Sequence, residues 1–463
     1  MSWVVAIAIG LLATLAVWPE RDSPWRDWPL MLSLSIGLGL SFTSLTYFLW
    51  VARLRSMLSS PHPLDVGLTI LLIPVVAMRV RSWKTEQSGP DSRRSHGTPL
   101  FAALTMALAS LDAAAFLVMS RRAPFGGWDA LATWNLKARY LAFGGADWTE
   151  VIRCGLADYP LLLSGAIARI WYDAGHASPL APALIGALFT FATAGLLIGG
   201  LRRLRGPMAG WLGGTLLLAT PSFLKHGARQ YADIPVAFFI LATVVLLTVS
   251  AKQRGENRSS WGFIALAALF AGFAAWTKNE GELLVAVLAL VLLVGSGRGR
   301  HLSALVAGLT PALVCLAYFK VAIAPANDLV AGQDHSTWGK LLDPRRYAMI
   351  AEAFAVQALT AGEAVFPSLA LYGWLNRCAR PRLEPWLRPA AALLALMTIG
   401  YFFVYVTTPH DLAWHLRTSL DRLVLQLLPG IVFVAIAALT PEEYPAIAPA
   451  STESAPAIRV PTP

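Results

Sequence analysis

Residues 234–250 read IPVAFFILATVVLLTVS, a run with no ionisable side chain. Asp233 stands before it, and Lys252, Arg254 and Arg258 follow it. A helix satisfies its own backbone polar groups, so a run near 20 apolar residues can cross a bilayer. Runs of this kind recur along the chain. About thirteen are counted, centred on 3–18, 29–51, 66–80, 98–119, 179–201, 209–222, 234–250, 260–276, 282–296, 302–323, 351–374, 389–408 and 420–440. The 463 residues are 56% hydrophobic and only 14% charged, with mean hydropathy +0.57. A soluble chain of this length would need far more polar surface. The pattern predicts an all-α polytopic membrane protein of about 13 transmembrane helices. The first run lacks a basic segment before it and a small-residue cleavage site after it, so it is read as a helix and not a signal peptide.

The net charge of +10 would suggest nucleic acid for a soluble protein. Here cationic loops fix topology, and no nucleic-acid partner is inferred. The loop with Arg79, Arg81, Lys84, Arg93 and Arg94 is the most basic short loop and is assigned to the cytoplasm. Parity then places Arg202–Arg205, Lys252–Arg258, Arg298–Arg300 and Arg377–Arg388 on the same side. Inner loops carry nineteen Lys and Arg, and the short outer loops carry seven: Arg53, Arg55, Lys225, Arg229, Lys278, Arg417 and Arg422. The N-terminus is therefore outside and the C-terminus inside. Cys154, Cys315 and Cys378 fall outside, within a helix and inside, so they form no disulfide framework, and no CxxC pair suggests zinc. The tail from Thr440 is rich in Pro, Ala, Ser and Glu and is read as disordered. No P-loop stands in the inner loops, and the two halves show no repeat.

The outer loops are polar in an unusual way. Segment 120–178 is too long for a simple connection, and such loops are often functional. Leu131, Trp134, Ala138 and Leu141 recur at helical spacing within it, with Asn135 and Arg139 off the stripe. This predicts an amphipathic helix at the membrane surface, and parity places 160–172 there too. Asp129 precedes that helix. A carboxylate there can take a proton from a substrate hydroxyl or cap the helix, and the two roles can coexist. The next outer loop holds Lys225, His226 and Arg229 close to Asp233. Cations there bind lipid headgroups or a substrate phosphate. Lys278 and Glu280 sit at the mouth of two helices. The last outer loop holds His410, Asp411, His415, Arg417, Asp421 and Arg422. His410 and His415 are five apart and share no helical face, so no metal is assigned. Asp421 and Arg422 fall where the last span begins, where charges line a cavity or pair with each other. Together these residues suit a lipid-phosphate substrate. Cations hold a phosphate leaving group, a carboxylate activates the acceptor, and Trp128 and Trp134 stack on a sugar ring.

The order of these features resembles the polyprenyl-phosphate-dependent membrane glycosyltransferases of the GT-C fold. That group includes protein O-mannosyltransferases, the aminoarabinose transferase of lipid A and the galacturonic acid transferases of lipopolysaccharide core. Trp128-Asp129-Ala130 matches the family Asp at the start of the first large external loop but lacks the acidic neighbour. Asp158-Tyr159-Pro160-Leu161-Leu162 fits the Pro-containing motif. Tyr231-Ala232-Asp233-Ile234-Pro235 matches a Tyr-x-Asp-x-Pro-like motif, and Thr277-Lys278 a Thr-Lys motif. The likeness covers roughly 98–323. The three N-terminal helices are not part of the family's common core, and the family's C-terminal soluble domain is not visible.

The resemblance implies an inverting transfer from a polyprenyl-phosphate-sugar donor to a lipid, glycan or protein acceptor. It implies a bacterial inner membrane location with the site facing the periplasm. Asp129 is then the general base, Asp233 a catalytic positioning group, and Lys278 and Arg229 the phosphate holders. Asp158, Tyr231, Trp128 and Glu280 complete the binding site, and Arg417 and Arg422 are added on chemistry alone. No cofactor is firmly implied, and the missing second acid argues mildly against a divalent metal. The implied organisation is an N-terminal extension and cytoplasmic loop (1–97), a GT-C-like catalytic core (98–323), an external loop with C-terminal helices (324–440) and the tail (441–463). A secondary transporter is the alternative, with Asp112, Glu352 and Glu363 near the midplane. A lipid-linked glycan polymerase or ligase is a third reading. The long outer loop and the absence of repeats favour the transferase.

Overall fold

The computed structural model describes residues 2–18, 27–82, 98–153, 157–255, 260–295, 298–333, 335–361, 365–375 and 383–440. Cys154, Cys378, Glu363 and the tail lie outside them. Within them the chain is helical and contains no strand. The N-terminal third holds α1 (Ser2–Val17), α2 (Trp28–Leu49, prolonged by a π-helical turn Trp50–Leu54), α3 (His62–Ser82) and α4 (Thr98–Arg122). A π-helical turn Ala130–Asn135 leads into α5 (Leu136–Phe143), and a 3-10 stretch Gly145–Arg153 follows it. Next come α6 (Leu162–Ala174), α7 (Leu180–Arg205), α8 (Pro207–Leu218), α9 (Pro221–Ala228), α10 (Asp233–Gly255), α11 (Trp261–Thr277), α12 (Glu280–Val294) and α13 (Arg298–Ala322). The last third holds α14 (Asp328–Ala331), α15 (Ser336–Leu342), α16 (Pro344–Ala361), α17 (Val365–Leu375), α18 (Arg388–Thr407) and α19 (Leu412–Leu439).

Among the described residues, each of the thirteen apolar runs overlaps at least one helix. Among the described residues eight helices are long and apolar enough to cross a bilayer, and a ninth crossing arises if α16 and α17, bent by 70°, act as one. The difference from thirteen is one of length. Helix α8 has 12 residues and α12 has 15. At 1.5 Å per residue neither reaches across about 30 Å of hydrocarbon alone. The outward faces are those of a membrane protein. On α3, Ile70, Leu71 and Ile73 are all more than half exposed. A water-soluble surface rarely carries so continuous an apolar face.

Helix α10 is the centre, fully buried along its apolar window. Association inside a bilayer gains little from the hydrophobic effect, so small residues and close packing hold helices together. Gly10 and Gly39 let α1 and α2 touch: a Cβ on Gly10 would stand 1.8 Å from the Ser35 carbonyl oxygen. Gly199 admits Leu30, and Gly37 admits the Phe238 ring. Ser44 on α2 donates to the Leu161 carbonyl at 3.1 Å and accepts from Trp276 Nε1 at 3.3 Å. Residues 1–97 thus send α2 into the middle of the bundle.

The α11–α12 turn is similarly tight. A Cβ on Gly281 would lie 2.0 Å from the Ala274 carbonyl carbon, and backbone cannot move aside cheaply. Gly281→Ala is expected to cost about 1–3 kcal/mol, the usual range for overpacking. It should lower the thermal transition in detergent, and an unchanged transition would refute the close approach.

The bundle has two distinct ends. At one end Arg205 donates to the Ala437 carbonyl at 2.8 Å and pairs with Glu384 at 3.2 Å, Arg203 pairs with Asp27, and Arg254 meets His301 at 2.8 Å. At the other end the start of α10, the α11–α12 turn, the end of α13 and the first half of α19 come together.

Candidate active site

The site begins at the turn before α10. Gln230 has φ 59°, a left-handed backbone unusual for a side-chain-bearing residue. Its amide donates to the Pro124 carbonyl at 3.1 Å and accepts from Asn135 at 3.4 Å. Gly127 N–H donates to the Arg229 carbonyl at 3.0 Å. A Cβ on Gly126 would meet that carbonyl at 2.4 Å, and one on Gly127 would meet the Tyr231 hydroxyl at 2.7 Å. The Gly-Gly pair lets the segment after α4 lie against residues 229–231. This contact delivers Asp129.

Asp129 makes no side-chain capping bond to the helix that follows it. Its carboxylate instead forms an ion pair with Arg422 of α19, and its side chain is about a quarter exposed. Burial first, and then the Asp129 carboxylate, push the Tyr231 phenol above its ordinary value. Tyr231 stays a neutral hydroxyl beside Asp129.

Arg422 also lines a cavity of about 180 Å³ together with Asp233, Lys278, Glu280, Tyr159 and His415. Asp233 Oδ1 accepts from Lys278 Nζ at 2.9 Å and from Gln426 Nε2 at 2.7 Å. Lys278 Nζ also meets Glu280 Oε1 at 2.7 Å. Lys278 can reach both because its backbone is extended at the end of α11 (φ −150°, ψ 158°). Burial alone would lower the lysine pKa, but Asp233 and Glu280 overcome it and hold Lys278 above the ordinary lysine value. Lys278 Nζ also stands 5.6 Å from the centre of the Tyr159 ring, a cation–π contact. Burial first, and Glu280 after it, raise the Tyr159 phenol. Among the described residues Glu280 Oε2 is buried without a hydrogen-bond partner.

An outer ring of polar contacts fixes these groups. Asp158 Oδ2 accepts from Asn279 at 2.6 Å and from Asn327 at 2.9 Å, tying together three segments at this end of the bundle. Lys320 donates to Asn279 Oδ1 at 2.7 Å and pairs with Glu282 at 3.1 Å. The Tyr401 hydroxyl donates to Gln426 Oε1 at 2.7 Å and so orients the Gln426 amide toward Asp233. A larger cavity of about 570 Å³ lies across the same turn of α19, with Lys225, His226 and Asp421 on its wall. Asp421 faces the larger cavity and Arg422 the smaller one.

Several expected residues stand elsewhere. Trp128 is 78% exposed and lines neither cavity, and Arg229 and Arg417 are exposed and line neither. Trp134 is buried against Tyr159 with ring centres 5.8 Å apart, a wall and not a platform. The stripe expected at the membrane surface packs inward: Trp134, Ala138 and Leu141 are buried while Leu131 is half exposed. The π-helical turn at Ala130–Asn135 widens the repeat, so Leu131 drops out of the 3.6-residue register. Asn135 points inward to the Phe125 carbonyl at 2.9 Å. His415 Nδ1 meets Thr408 Oγ1 at 2.9 Å, and no group of three or more metal-ligating side chains stands together among the described residues. Of the midplane acids, Asp112 is buried and Glu352 exposed.

The residues missed by sequence reasoning are Gln426, Tyr401, Asn279, Asn327 and Lys137. One signal was available for the first. His415, Ser419, Arg422 and Gln426 follow spacings of four, three and four, which is one helical face. Lys137 is 1% exposed, and its Nζ donates to the Tyr159 carbonyl at 2.9 Å. Burial lowers its pKa to about 7, with Asp158 opposing and Lys320 adding to the shift. The unfolded chain keeps this proton up to about pH 10.4. Between these values the unfolded state binds more protons, so stability rises with pH over that window and the burial cost is full below about 7. Lys137→Met should flatten this rise in melting curves taken across the window. An unaltered slope would remove Lys137 as its source.

Residues 163–296 match the family model of dolichyl-phosphate-mannose-protein mannosyltransferase. That family is a GT-C family of membrane glycosyltransferases that use a polyprenyl-phosphate sugar donor. The match runs from α6 to α12 and includes Asp233, Lys278 and Glu280. Asp129 and Arg422 lie on either side of it. No curated protein and no solved structure matches the chain.

Proposed function

We propose that the protein transfers a sugar from a polyprenyl-phosphate donor to an acceptor hydroxyl by inverting displacement, at the end of the bundle facing away from the cytoplasm. The ion pair between Asp129 and Arg422 carries this reading, because Arg422 also lines the cavity of Asp233 and Lys278. One guanidinium can bond a carboxylate and a phosphate together, since it has five donors in a fixed fork. Asp129 accepts the proton of the acceptor hydroxyl as its oxygen attacks the anomeric carbon. The bond from that carbon to the phosphate oxygen breaks, and the phosphate leaves with the electron pair. Lys278 and Arg422 stabilise the charge that develops on it.

Asp233 takes a different part from Asp129. It is buried and already accepts from Lys278 and Gln426, so it positions Lys278 and does not take a proton. Glu280 Oε2 has no hydrogen-bond partner among the described residues and is the acceptor assigned to a sugar hydroxyl. The site's mixture of carboxylates and cations suits a substrate that brings both hydroxyls and a phosphate. The side assignment rests on the excess of Lys and Arg in the opposite loops.

The test supplies labelled polyprenyl-phosphate sugar to membranes containing the protein and looks for a new glycosidic bond in the lipid, glycan and protein fractions. Mass spectrometry of envelope glycolipids from cells with and without the protein identifies the acceptor. Uptake of a solute into sealed vesicles with no new glycosidic bond would replace the transferase with a transporter.

A further inference from the structure

A cleft of about 380 Å³ lies between α2, α4, α7 and α8, away from both cavities of the candidate site. Ala187, Ala192 and Gly195 line it on the α7 side, and their small size leaves the space open. Its outer lips are exposed: Trp28 at 55%, Leu32 at 45% and Met106 at 59%. The wall is apolar along nearly its whole length, from Ile36 and Phe191 to Trp28 and Trp211. Arg202 is the one charged residue on it.

Arg202 stands at the end of the bundle where basic helix termini gather. Its neighbours are committed, Arg203 to Asp27 and Arg205 to Glu384. Among the described residues Arg202 makes no ion pair, although it is half-buried on the cleft wall. Trp28 and Trp211 flank it, and tryptophan favours the headgroup level of a bilayer. The cleft therefore presents one positive charge at headgroup depth above a trough for hydrocarbon. Neutral lipid tails would gain little there over the surrounding bilayer, so selectivity must come from the charge.

We propose that this cleft is a binding site for an anionic phospholipid, with the phosphate on Arg202 and one acyl chain between α2 and α7. The site is separate from the sugar-transfer reading and stands without it.

The experiment uses the full chain, stripped of lipid in detergent and titrated with dioleoyl phosphatidylglycerol under native mass spectrometry. The wild type should retain one lipid per chain in preference to dioleoyl phosphatidylcholine. Arg202→Gln should weaken retention about fivefold, the value of one cation near an anionic headgroup. Arg202→Lys should keep most of it. Ile36→Trp fills the trough without touching the charge and should also weaken retention. Thermal transitions identify any variant that has lost its fold, and the remaining variants then decide. Equal retention of the two lipids, or retention unaffected by both Arg202→Gln and Ile36→Trp, would overturn the proposal. Polyprenyl phosphate displacing phosphatidylglycerol from the wild type at lower concentration would also overturn it, making the occupant the sugar carrier.

Discussion

Asp129→Asn is expected to lower sugar transfer by about 10²–10⁴-fold, the usual contribution of a positioned general base. The substitution keeps shape and changes charge. Asn is as good a helix cap as Asp, so a role in starting the following helix would survive it. The carboxylate makes no capping bond in any case and turns to Arg422 instead. If Asp129 takes the proton, the loss should fall on kcat, with donor KM little changed, because Lys278 remains in the cavity. Arg422→Gln should differ in kind by raising donor KM as well as lowering kcat. Turnover near the wild-type rate by the Asp129→Asn protein would remove the base and leave Asp129 as a partner of Arg422 alone.

Lys278→Met is expected to cost about 3–5 kcal/mol of stability, the range for breaking a buried ion pair on one side. The two side chains are only 7% and 3% exposed, so water cannot screen what is left. The change strands Asp233 with Gln426 as its remaining donor and leaves Glu280 without its cation. The measurement is a thermal or denaturant transition in detergent, with sugar transfer followed in parallel. The double variant Lys278→Met with Asp233→Asn should recover much of the stability and none of the activity. That pattern separates holding the bundle together from holding a phosphate. A single variant as stable as the wild type would mean that the pair contributes nothing to the fold.

The helical architecture was legible because a bilayer imposes long apolar runs, and the described part of each run is largely helical. The number of crossings was less legible, since α8 and α12 are apolar enough but short. Parts of the site could be read from motif order: Asp233 and Lys278 lie four residues or fewer from the turns that bring them together. Arg422 was reached by chemistry alone, and it proved to be the link between Asp129 and the cavity. Gln426, Tyr401 and Asn327 carry no motif, and their roles arise where distant helices meet. Trp134 misled for a local reason, a π-helical turn that no apolar periodicity reports. Trp128 and Trp134 looked alike in sequence, yet one faces out and the other packs against Tyr159.

The Asp129–Arg422 contact joins residues 293 positions apart, from the first long loop to the final helix. On the ribosome, Asp129 and its guanidinium partner therefore cannot meet until α19 has been made and inserted. Every helix of the segment that matches the family model is complete before that moment. A chain stopped by a nonsense codon before Leu412 would still contain the whole segment that matches the family model, yet it would lack Arg422, Gln426 and His415. Genome surveys that count such fragments as full copies would overstate how many carry the complete candidate site.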